Sequence, residues 1–301
     1  MTRSASAPGK IVLAGEYAVL WGAPAVCMAV DRRAVATVSD RADGLCRIAT
    51  PGFDGDDPFR IVDAVTDGVR PPCDLELDTS AFVSDGDKTG IGSSAALTVA
   101  LLAALENSVD IYSAAMAAHK RLQQGMGSGV DIAAAVHGGL FEYEMTGPTV
   151  RPLTWPEDLA YRVIWTGVSA STAAKLSQLE DRESHPSRAA LLQAAPRIRD
   201  AWRAADASGI LAEYASYIAV LRQFSVDHGL GIFDAGHEEL TDAAMLDDLV
   251  YKPAGAGGGD IGTLFGRSEA DLDAFVKRHA GLVRAVLPYK LEAQGVRLER
   301  R

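Results

Sequence analysis

The sequence is poor in cysteine, in aromatic residues and in long apolar runs. It has three cysteines in 301 residues, and aromatic residues make up 7% of the chain. Cys27, Cys46 and Cys73 form no CxxC pair and have no histidine at a metal-site spacing, so we expect reduced thiols of a cytoplasmic protein. The first sixteen residues contain no apolar run long enough for a signal peptide, and the most apolar segment, residues 95–105, is too short to span a bilayer. We therefore expect no membrane anchor.

Positive charge is scarce as well, because 29 lysines and arginines are outnumbered by 40 aspartates and glutamates, which gives a net charge of -11. Such a chain repels polyanions, and no run of basic residues is long enough to follow a nucleic-acid backbone. Nucleic acid is therefore not an expected partner. A hydrophobic content of 48% with 23% charged residues is typical of an ordinary globular protein and argues against disordered or fibrous classes.

The chain begins with short strand patterns and continues with mixed helices and strands, without an internal repeat. Its length suggests about two domains, and the proline-bounded stretch 152–156 marks the expected boundary between them. The pattern therefore predicts an α+β fold in two halves. Strands are predicted at 11–13, 25–30, 34–38, 74–77, 140–143 and 161–165, and helices at 95–105, 111–124, 131–136 and 189–224.

A glycine-rich loop opens directly into the apolar segment 95–105. Residues 88–96 combine a lysine, two glycines and a tandem serine. The glycines would let the backbone approach an anion, and the free amides and positive dipole at a helix start would face it. The order is not that of a Walker A loop, because the lysine precedes the glycines. The competing interpretation is a plain helix cap by Ser93 or Ser94, which accounts for the serines but not for the lysine and glycines.

Asp131 follows a second glycine-serine loop, residues 127–129, at the start of a predicted helix. A carboxylate there is favoured by the helix dipole and stays ionised near neutral pH. It could cap the helix or take part in chemistry, and the spacing alone does not decide. Lys10, at the start of an apolar strand, could equally be a solvated end residue. His119 and His137 lie on helical stretches without ligand spacing and are interpreted as packing or surface residues.

A third glycine-rich loop, residues 252–262, satisfies the GxGxxG pattern of dinucleotide-binding enzymes through Gly257, Gly259 and Gly262. That fingerprint should follow a strand near the start of a βαβ unit, with further strands after it. Only about forty residues follow the loop here. The pattern therefore argues against a dehydrogenase.

Taken in chain order, residues 7–20, 88–96 and 255–262 resemble the three signature motifs of the GHMP kinases. The resemblance covers most of the chain. It implies a GHMP kinase fold, with an N-terminal domain of the ribosomal-protein-S5-like type over residues 1–155 and a C-terminal ferredoxin-like domain over residues 156–301. The first domain would bind ATP and contain motifs 1 and 2 and the catalytic aspartate, and the second would contain motif 3.

The resemblance implies an ATP-dependent phosphotransferase, and Tyr17, Lys88 and Asp260 favour the phosphomevalonate kinase branch of the superfamily over the mevalonate kinase branch. The expected acceptor is then phosphomevalonate, an anionic small molecule of the mevalonate route to isoprenoids. The alternative is a mevalonate kinase or another GHMP kinase that acts on an alcohol. The non-enzyme alternative is a catalytically silent ligand sensor on the same scaffold, which would be expected to lose Lys10 or Asp131.

Carried over residue by residue, the resemblance makes Asp131 the acidic catalytic residue and Lys10 its charged partner at the acceptor. It also implies ATP with Mg²⁺, with Ser94 as a metal ligand, and we expect a monomer or a homodimer. The nucleotide-binding residues would be Lys88, Gly90, Ile91, Gly92, Ser93, Ser94 and Ala95. The substrate-binding residues would be Lys10, Glu16, Tyr17, Ser128, Ser171, Gly255, Gly257 and Gly258.

Two departures from the family pattern leave parts of the site open. Mevalonate kinases bring a glutamate to Mg²⁺ from the helix before the aspartate loop, but residues 118–124 contain no acid. Gly125 also stands where many phosphomevalonate kinases have a lysine. The resemblance therefore fixes neither the full set of metal ligands nor the contact to the substrate phosphate.

Overall fold

The computed structural model describes residues 1–51, 57–106, 110–123, 125, 127–147, 149–170, 175, 179 and 185–299. Contacts group the chain into two compact units. The first unit comprises Met1–Ile11, Met28–Gly139 and Lys290–Arg301, and the second comprises Val12–Cys27 and Leu140–Tyr289. Each unit thus combines segments that are distant in sequence, and the expected assignment of residues 1–155 and 156–301 to two functional domains stays a prediction.

The described residues form helices and strands in a mixed order, which confirms the predicted α+β class. The strands are β1 (Thr2–Ala14), β2 (Ala25–Asp40), β3 (Arg47–Ala49), β4 (Cys73–Asp78), β5 (Val83–Ser84), β6 (Asp87–Lys88), β7 (Leu140–Glu144), β8 (Thr149–Pro152), β9 (Ala160–Trp165), β10 (Val250–Pro253), β11 (Ile261–Gly266), β12 (Ala285–Leu287) and β13 (Arg297–Leu298). The helices are α1 (Asp57–Thr66), α2 (Ser93–Leu105), α3 (Ile111–Leu122), α4 (Val130–His137), α5 (Pro186–Ala204), α6 (Ala207–His228), α7 (His237–Leu246) and α8 (Glu269–Arg278).

The first unit contains a sheet with the strand order β13-β1-β2-β4-β3. Strand β1 pairs antiparallel with β13, and β2 pairs antiparallel with β4, whereas β3 runs parallel to β4. The strands predicted separately at 25–30 and 34–38 form one continuous strand, because the polar residues 31–33 lie half-buried in the extended chain instead of forming a turn.

Helix α2 is the most buried element of the first unit. Its residues from Ala95 to Leu105 are all buried, and it packs against α1, α3 and α4. A helix that is apolar on every face is stable only when it is surrounded, and the alanine- and leucine-rich sequence of α2 meets that condition. The predicted helix at 95–105 is confirmed, and it begins two residues earlier, at Ser93. The start of α2 therefore has a fixed position in the unit.

The hairpin of β5 and β6 leads the chain into α2. Its turn residues Asp85 and Gly86 both have positive φ, at 50° and 89°, as a two-residue turn between right-twisted strands requires. Thr89 follows Lys88, the last residue of β6. Its backbone amide and its hydroxyl both donate to the Phe82 carbonyl oxygen, each at 3.0 Å. The hairpin thus defines where the glycine-rich loop begins.

The second unit contains an antiparallel sheet with the strand order β10-β11-β9-β12. Ile164 and Leu264 of this sheet pack with residues of α7 and α8, including Leu240 and Phe275. Helices α5 and α6 pair with each other, and the segment predicted as one helical stretch at 189–224 is two helices broken near residue 205. In the part of the chain that the structure describes, no helix has the length and apolar character needed to cross a membrane.

Candidate active site

Helix α2 starts with Gly92 at its N-cap position. Gly92 has a φ of 84°, a left-handed conformation that favours glycine, and it offers no side chain to cap the helix. Ser93 and Ser94 are the first two helical residues, so neither is the plain cap that competed with the anion-site interpretation. Amides at such a helix start, together with the helix dipole, favour an anion.

Strand β1 lies against the loop that precedes α2. The Lys10 amide donates to the Ile91 carbonyl oxygen at 2.8 Å. A Cβ on Gly9 would lie 2.7 Å from the same oxygen and 2.8 Å from Cε1 of Phe82, so close packing demands a glycine here. The contact holds Lys10 beside the glycine-rich loop.

The side chains of Lys10 and Asp131 both lie beside Gly92. A Cβ on Gly92 would lie 3.4 Å from Cγ and 3.5 Å from Cε of Lys10, and 3.8 Å from Cβ of Asp131. The structure thus brings together the two residues predicted to be catalytic, and it does so at the start of the helix predicted to hold phosphate. All three residues belong to the first unit.

Asp131 is the second residue of α4, and Gly129, with a φ of 78°, occupies the N-cap position of that helix. The Ile132 amide donates to Oδ1 of Asp131 at 3.0 Å, and the Val130 amide donates to Oγ of Ser128 at 3.4 Å. The alternative of a simple capping aspartate therefore does not describe Asp131, because the cap is Gly129. The side chain of Asp131 is 20% exposed, so it can be reached from solvent.

A buried histidine to which we assigned no chemistry lies beside Asp131. Nε2 of His119, in the last turn of α3, is 3.6 Å from Oδ1 of Asp131, and His119 is only 4% exposed. The two residues lie on different helices, so no helical periodicity pairs them. The one available sequence signal was the position of His119 shortly before the glycine-serine loop.

The other residues predicted to bind nucleotide differ in their exposure to solvent. Lys88 and Gly90 are exposed, and Gly90 has a φ of 72°. Ile91 and Ala95 are buried, so their side chains belong to the core and only their backbone could meet a ligand. The nucleotide-binding role of each residue stays a prediction.

The third glycine-rich loop joins β10 to β11, which are antiparallel neighbours. No helix follows the loop directly, so the dinucleotide-binding interpretation is wrong. A Cβ on Gly257 would lie 2.5 Å from the Ile232 carbonyl oxygen, which also accepts a 2.7 Å hydrogen bond from the Gly258 amide. Close packing within the second unit therefore explains part of the need for glycine in this loop.

A buried ion pair connects the first motif to the first residue of the third glycine-rich loop. Glu16 and Lys252 are 3% and 0% exposed, and Lys252 Nζ donates to Oε1 of Glu16. The Tyr217 hydroxyl donates to Oε2 of Glu16 at 2.8 Å and accepts from the Gly15 amide at 2.9 Å. Burial lowers the pKa of Lys252, and the Glu16 carboxylate opposes that shift. No local sequence pattern indicates Lys252 as the partner of Glu16, because the two residues are 236 positions apart.

Tyr17 makes a second connection between the same motifs. Its hydroxyl donates to the Ala256 carbonyl oxygen at 2.6 Å, and its backbone has a φ of 60°, which is uncommon outside glycine. Burial, followed by the charge of Glu16, raises the pKa of Tyr17. Both carboxylate oxygens of Glu16 and the Tyr17 hydroxyl thus have internal partners, and the predicted contacts of these residues with substrate stay predictions. Ser171, also predicted to bind substrate, lies outside the described residues.

Comparison with known proteins identifies the family. Residues 60–139, which include α2, α3, α4 and Asp131, match the family described as GHMP kinases N terminal domain. The phosphomevalonate kinase of Streptomyces sp. (strain CL190) is 32% identical over 95% of this chain and 95% of its own. The chain belongs to the GHMP kinase family.

More distant members of the GHMP kinase family also match along nearly the full length. The mevalonate kinase of Thermococcus sibiricus is 27% identical over 98% of each chain. The structure of Streptococcus pneumoniae phosphomevalonate kinase in complex with phosphomevalonate and AMPPNP superposes with a TM-score of 0.82, at 20% identity, over 96% of this chain and 99% of that one. The structural match establishes a GHMP kinase fold. Membership of the GHMP kinase family makes the chain a small-molecule kinase.

Within this GHMP kinase, a neutral histidine supports the third glycine-rich loop. His237 is fully buried, and its Nε2 lies 3.0 Å from the Gly259 carbonyl oxygen, which can only accept, so Nε2 carries the proton. Nδ1 then accepts from the Tyr251 hydroxyl at 2.8 Å. Burial lowers the pKa of His237 to about 4, although the bond to Gly259 partly opposes the shift. Both ring nitrogens are satisfied in the neutral form.

This depressed pKa predicts that acid weakens the fold. Between the ordinary histidine pKa of about 6.5 and the folded value, the unfolded chain binds a proton that the native chain does not. The contribution of His237 to the free energy of unfolding is therefore complete above pH 6.5 and falls by up to about 1.4 kcal/mol per pH unit on acidification. We expect urea denaturation to show a shallower pH dependence between about pH 6.5 and pH 4.5 in His237→Gln than in wild type. Equal slopes of the free energy of unfolding against pH in the two proteins would contradict a neutral His237 in the folded chain, whatever the absolute stability of the variant.

Proposed function

We propose that this GHMP kinase transfers the γ-phosphoryl group of ATP to phosphomevalonate, giving diphosphomevalonate and ADP. The observation that carries the reaction type is that Lys10 and Asp131 both lie beside Gly92, at the start of α2. The acceptor is supported by the 32% identity to the Streptomyces phosphomevalonate kinase over 95% of each chain. A silent ligand sensor is disfavoured, because it would have no need to keep the lysine and the aspartate together.

The glycine-rich loop and the first turn of α2 would hold the ATP phosphates. Phosphoryl transfer requires positioning and charge neutralisation more than covalent help from the protein. The exposed loop backbone at Gly90 and the amides at the start of α2 supply fixed partial positive charge. Lys88, exposed at the end of β6, would add a full positive charge next to the loop.

Lys10 and Asp131 would act on the acceptor. The second pKa of a phosphate monoester is about 6, so phosphomevalonate is mostly dianionic at neutral pH and needs no strong base. The harder task is to bring two anions together, and the Lys10 ammonium would neutralise part of their charge. Asp131 would orient Lys10 and accept any remaining proton. With an alcohol acceptor, Asp131 would have to remove the proton as the new bond forms.

Magnesium would enter with the nucleotide. Mg²⁺ commonly binds to substrate phosphates with only one or two protein oxygens. The Ser94 hydroxyl fits such a ligand, because Ser94 is exposed in the first turn of α2. Across the described ranges, no group of three His, Cys, Asp or Glu residues converges as a metal site. The bound ion would neutralise phosphate charge during the transfer.

We also propose that the third glycine-rich loop, at Gly255, Gly257 and Gly258, binds the acceptor. Gly255 and Gly258 are half-buried, and they lie on either side of Ala256 and Gly257; the Ala256 carbonyl oxygen accepts a hydrogen bond from the Tyr17 hydroxyl. We also propose that Glu16 and Ser171 act near the acceptor, and that Ser128 binds it from the loop before α4. We further propose a cytoplasmic enzyme, a monomer or homodimer, that binds neither nucleic acid nor membrane. The net charge of -11 supports the part of this proposal that concerns nucleic acid.

The acceptor assignment predicts a preference that kinetics can measure. We expect kcat/KM for phosphomevalonate to exceed that for mevalonate by at least about tenfold, a difference of about 1.4 kcal/mol in transition-state binding. The KM for phosphomevalonate should also rise more steeply with added salt, because partly exposed lysines bind its phosphate. A coupled ADP-release assay with both substrates at two ionic strengths measures both effects.

Two results of that assay would change the assignment. Equal or better use of mevalonate would move the chain to the mevalonate kinases. No turnover of either substrate by a folded protein that binds ATP would overturn the acceptor assignment and leave a GHMP kinase with a different acceptor, to be sought among sugars and homoserine.

A further inference from the structure

His119 lies between the glycine-serine loop and the Asp131 carboxylate. A Cβ on Gly127 would lie 2.6 Å from Nε2 of His119 and would overlap Oε1 of Gln123. Gly127 has no positive φ, so the space taken by these two polar side chains is what demands a glycine. The same Nε2 is 3.6 Å from Oδ1 of Asp131. One ring atom thus approaches both the loop backbone and the candidate catalytic carboxylate.

The geometry points to His119 as a positioning residue for Asp131, an inference that rests on the proposed function. At 3.6 Å the contact is too long for a hydrogen bond, but it is short enough to restrict where the carboxylate can lie. His119 is itself one of the buried residues of α3, together with Ala115 and Ala118. A displaced Asp131 carboxylate would lose its position in the region that Gly92 and Lys10 define. Small misplacements of catalytic groups cost large factors in rate.

We expect His119→Ala to lower kcat by up to about 100-fold while the KM values for ATP and acceptor change by less than about threefold. His119→Gln places an amide nitrogen near the Nε2 position and should restore part of kcat. His279→Ala, in the second unit, is the control and should keep wild-type kinetics. Thermal melts would check folding, and if His119→Ala fails to fold, His119→Gln and His119→Asn carry the test.

A double-mutant cycle separates positioning from packing. If His119 acts through Asp131, adding His119→Ala to Asp131→Asn should lower kcat by less than about threefold further. The same loss of kcat in both backgrounds, or wild-type kcat in His119→Ala, would overturn the inference. A different result would contradict the proposed function itself. That result is a wild-type kcat in the single variant Asp131→Asn.

A second, independent observation concerns Cys46 and Cys73. Strand β3 runs parallel to β4 with Arg47 opposite Asp74, which places Cys46, just before β3, opposite Cys73. Residues opposite each other in parallel strands point to the same face, so the two side chains face the same way across the strand pair. Cys46 lies close enough to help raise the pKa of the Cys73 thiol, after burial as the main cause. Both cysteines are free thiols, with Cys73 buried and Cys46 partly exposed.

We propose that Cys46 and Cys73 are an oxidisable dithiol that closes into a disulfide between β3 and β4. With oxidised glutathione as oxidant, the Cys46 thiolate attacks the glutathione disulfide and releases one glutathione. The Cys73 thiolate then attacks the mixed disulfide and releases the second, so two protein thiols are oxidised and one glutathione disulfide is reduced. Burial raises the pKa of Cys73 to about 11, so ring closure should accelerate as the pH rises.

We expect oxidised glutathione to convert the native full-length chain to a form that has lost two hydrogen atoms by intact mass. Non-reducing peptide mapping should join the peptides of Cys46 and Cys73, and the product should melt at a higher temperature. Cys27→Ser, at a fully buried position, should behave as wild type. Cys73→Ser should stop at the glutathione adduct. A glutathione adduct without the internal link in wild type, or resistance to the oxidant, would overturn the proposal.

Discussion

The arrangement of the site depends on the absence of a side chain at Gly92. A residue other than glycine would be strained there, because a φ of 84° costs an L-residue roughly 1–2 kcal/mol. Its Cβ would also come into van der Waals contact with the stem of Lys10 and with Asp131. Because Gly92 has no side chain, Lys10, Asp131 and the first backbone amides of α2 lie close to one another. That combination suits a reaction in which negative charge must be gathered and moved.

The second constraint is the buried pair of Glu16 and Lys252 in the second unit. Removing one partner of such a pair typically costs about 3–5 kcal/mol, because the other charge stays buried without compensation. Tyr217 completes the pair by bonding both the Glu16 carboxylate and the Gly15 amide. Glu16 and Gly15, near the end of the first motif, therefore stabilise the fold through their internal partners. Their place in the motif need not reflect ligand binding alone. Tyr17, bonded to Ala256, belongs to the same arrangement.

Local patterns predicted much of this structure, whereas long-range contacts escaped them. The glycine loops, α2 and Asp131 were visible because glycine conformation, helix composition and helix dipoles act over a few neighbouring residues. The pairing of Lys252 with Glu16 could not be predicted, since a buried charge reveals its partner only in the folded chain. The contact of Cys46 with Cys73 likewise depends on strand register, which widely spaced cysteines do not encode. His119 appeared to be a packing residue because its neighbour lies on another helix.

The central claim is that Lys10 and Asp131 act on the phosphoryl group as it moves. The most direct measurement is the rate of a single turnover from ATP to phosphomevalonate, by rapid quench, in wild type, Lys10→Met and Asp131→Asn. We expect both variants to transfer phosphate about 100-fold more slowly or worse, with AMPPNP affinity within about threefold of wild type. Lys290→Met, at an exposed position of the first unit, should match wild type. A wild-type transfer rate in folded Asp131→Asn or Lys10→Met would contradict the account.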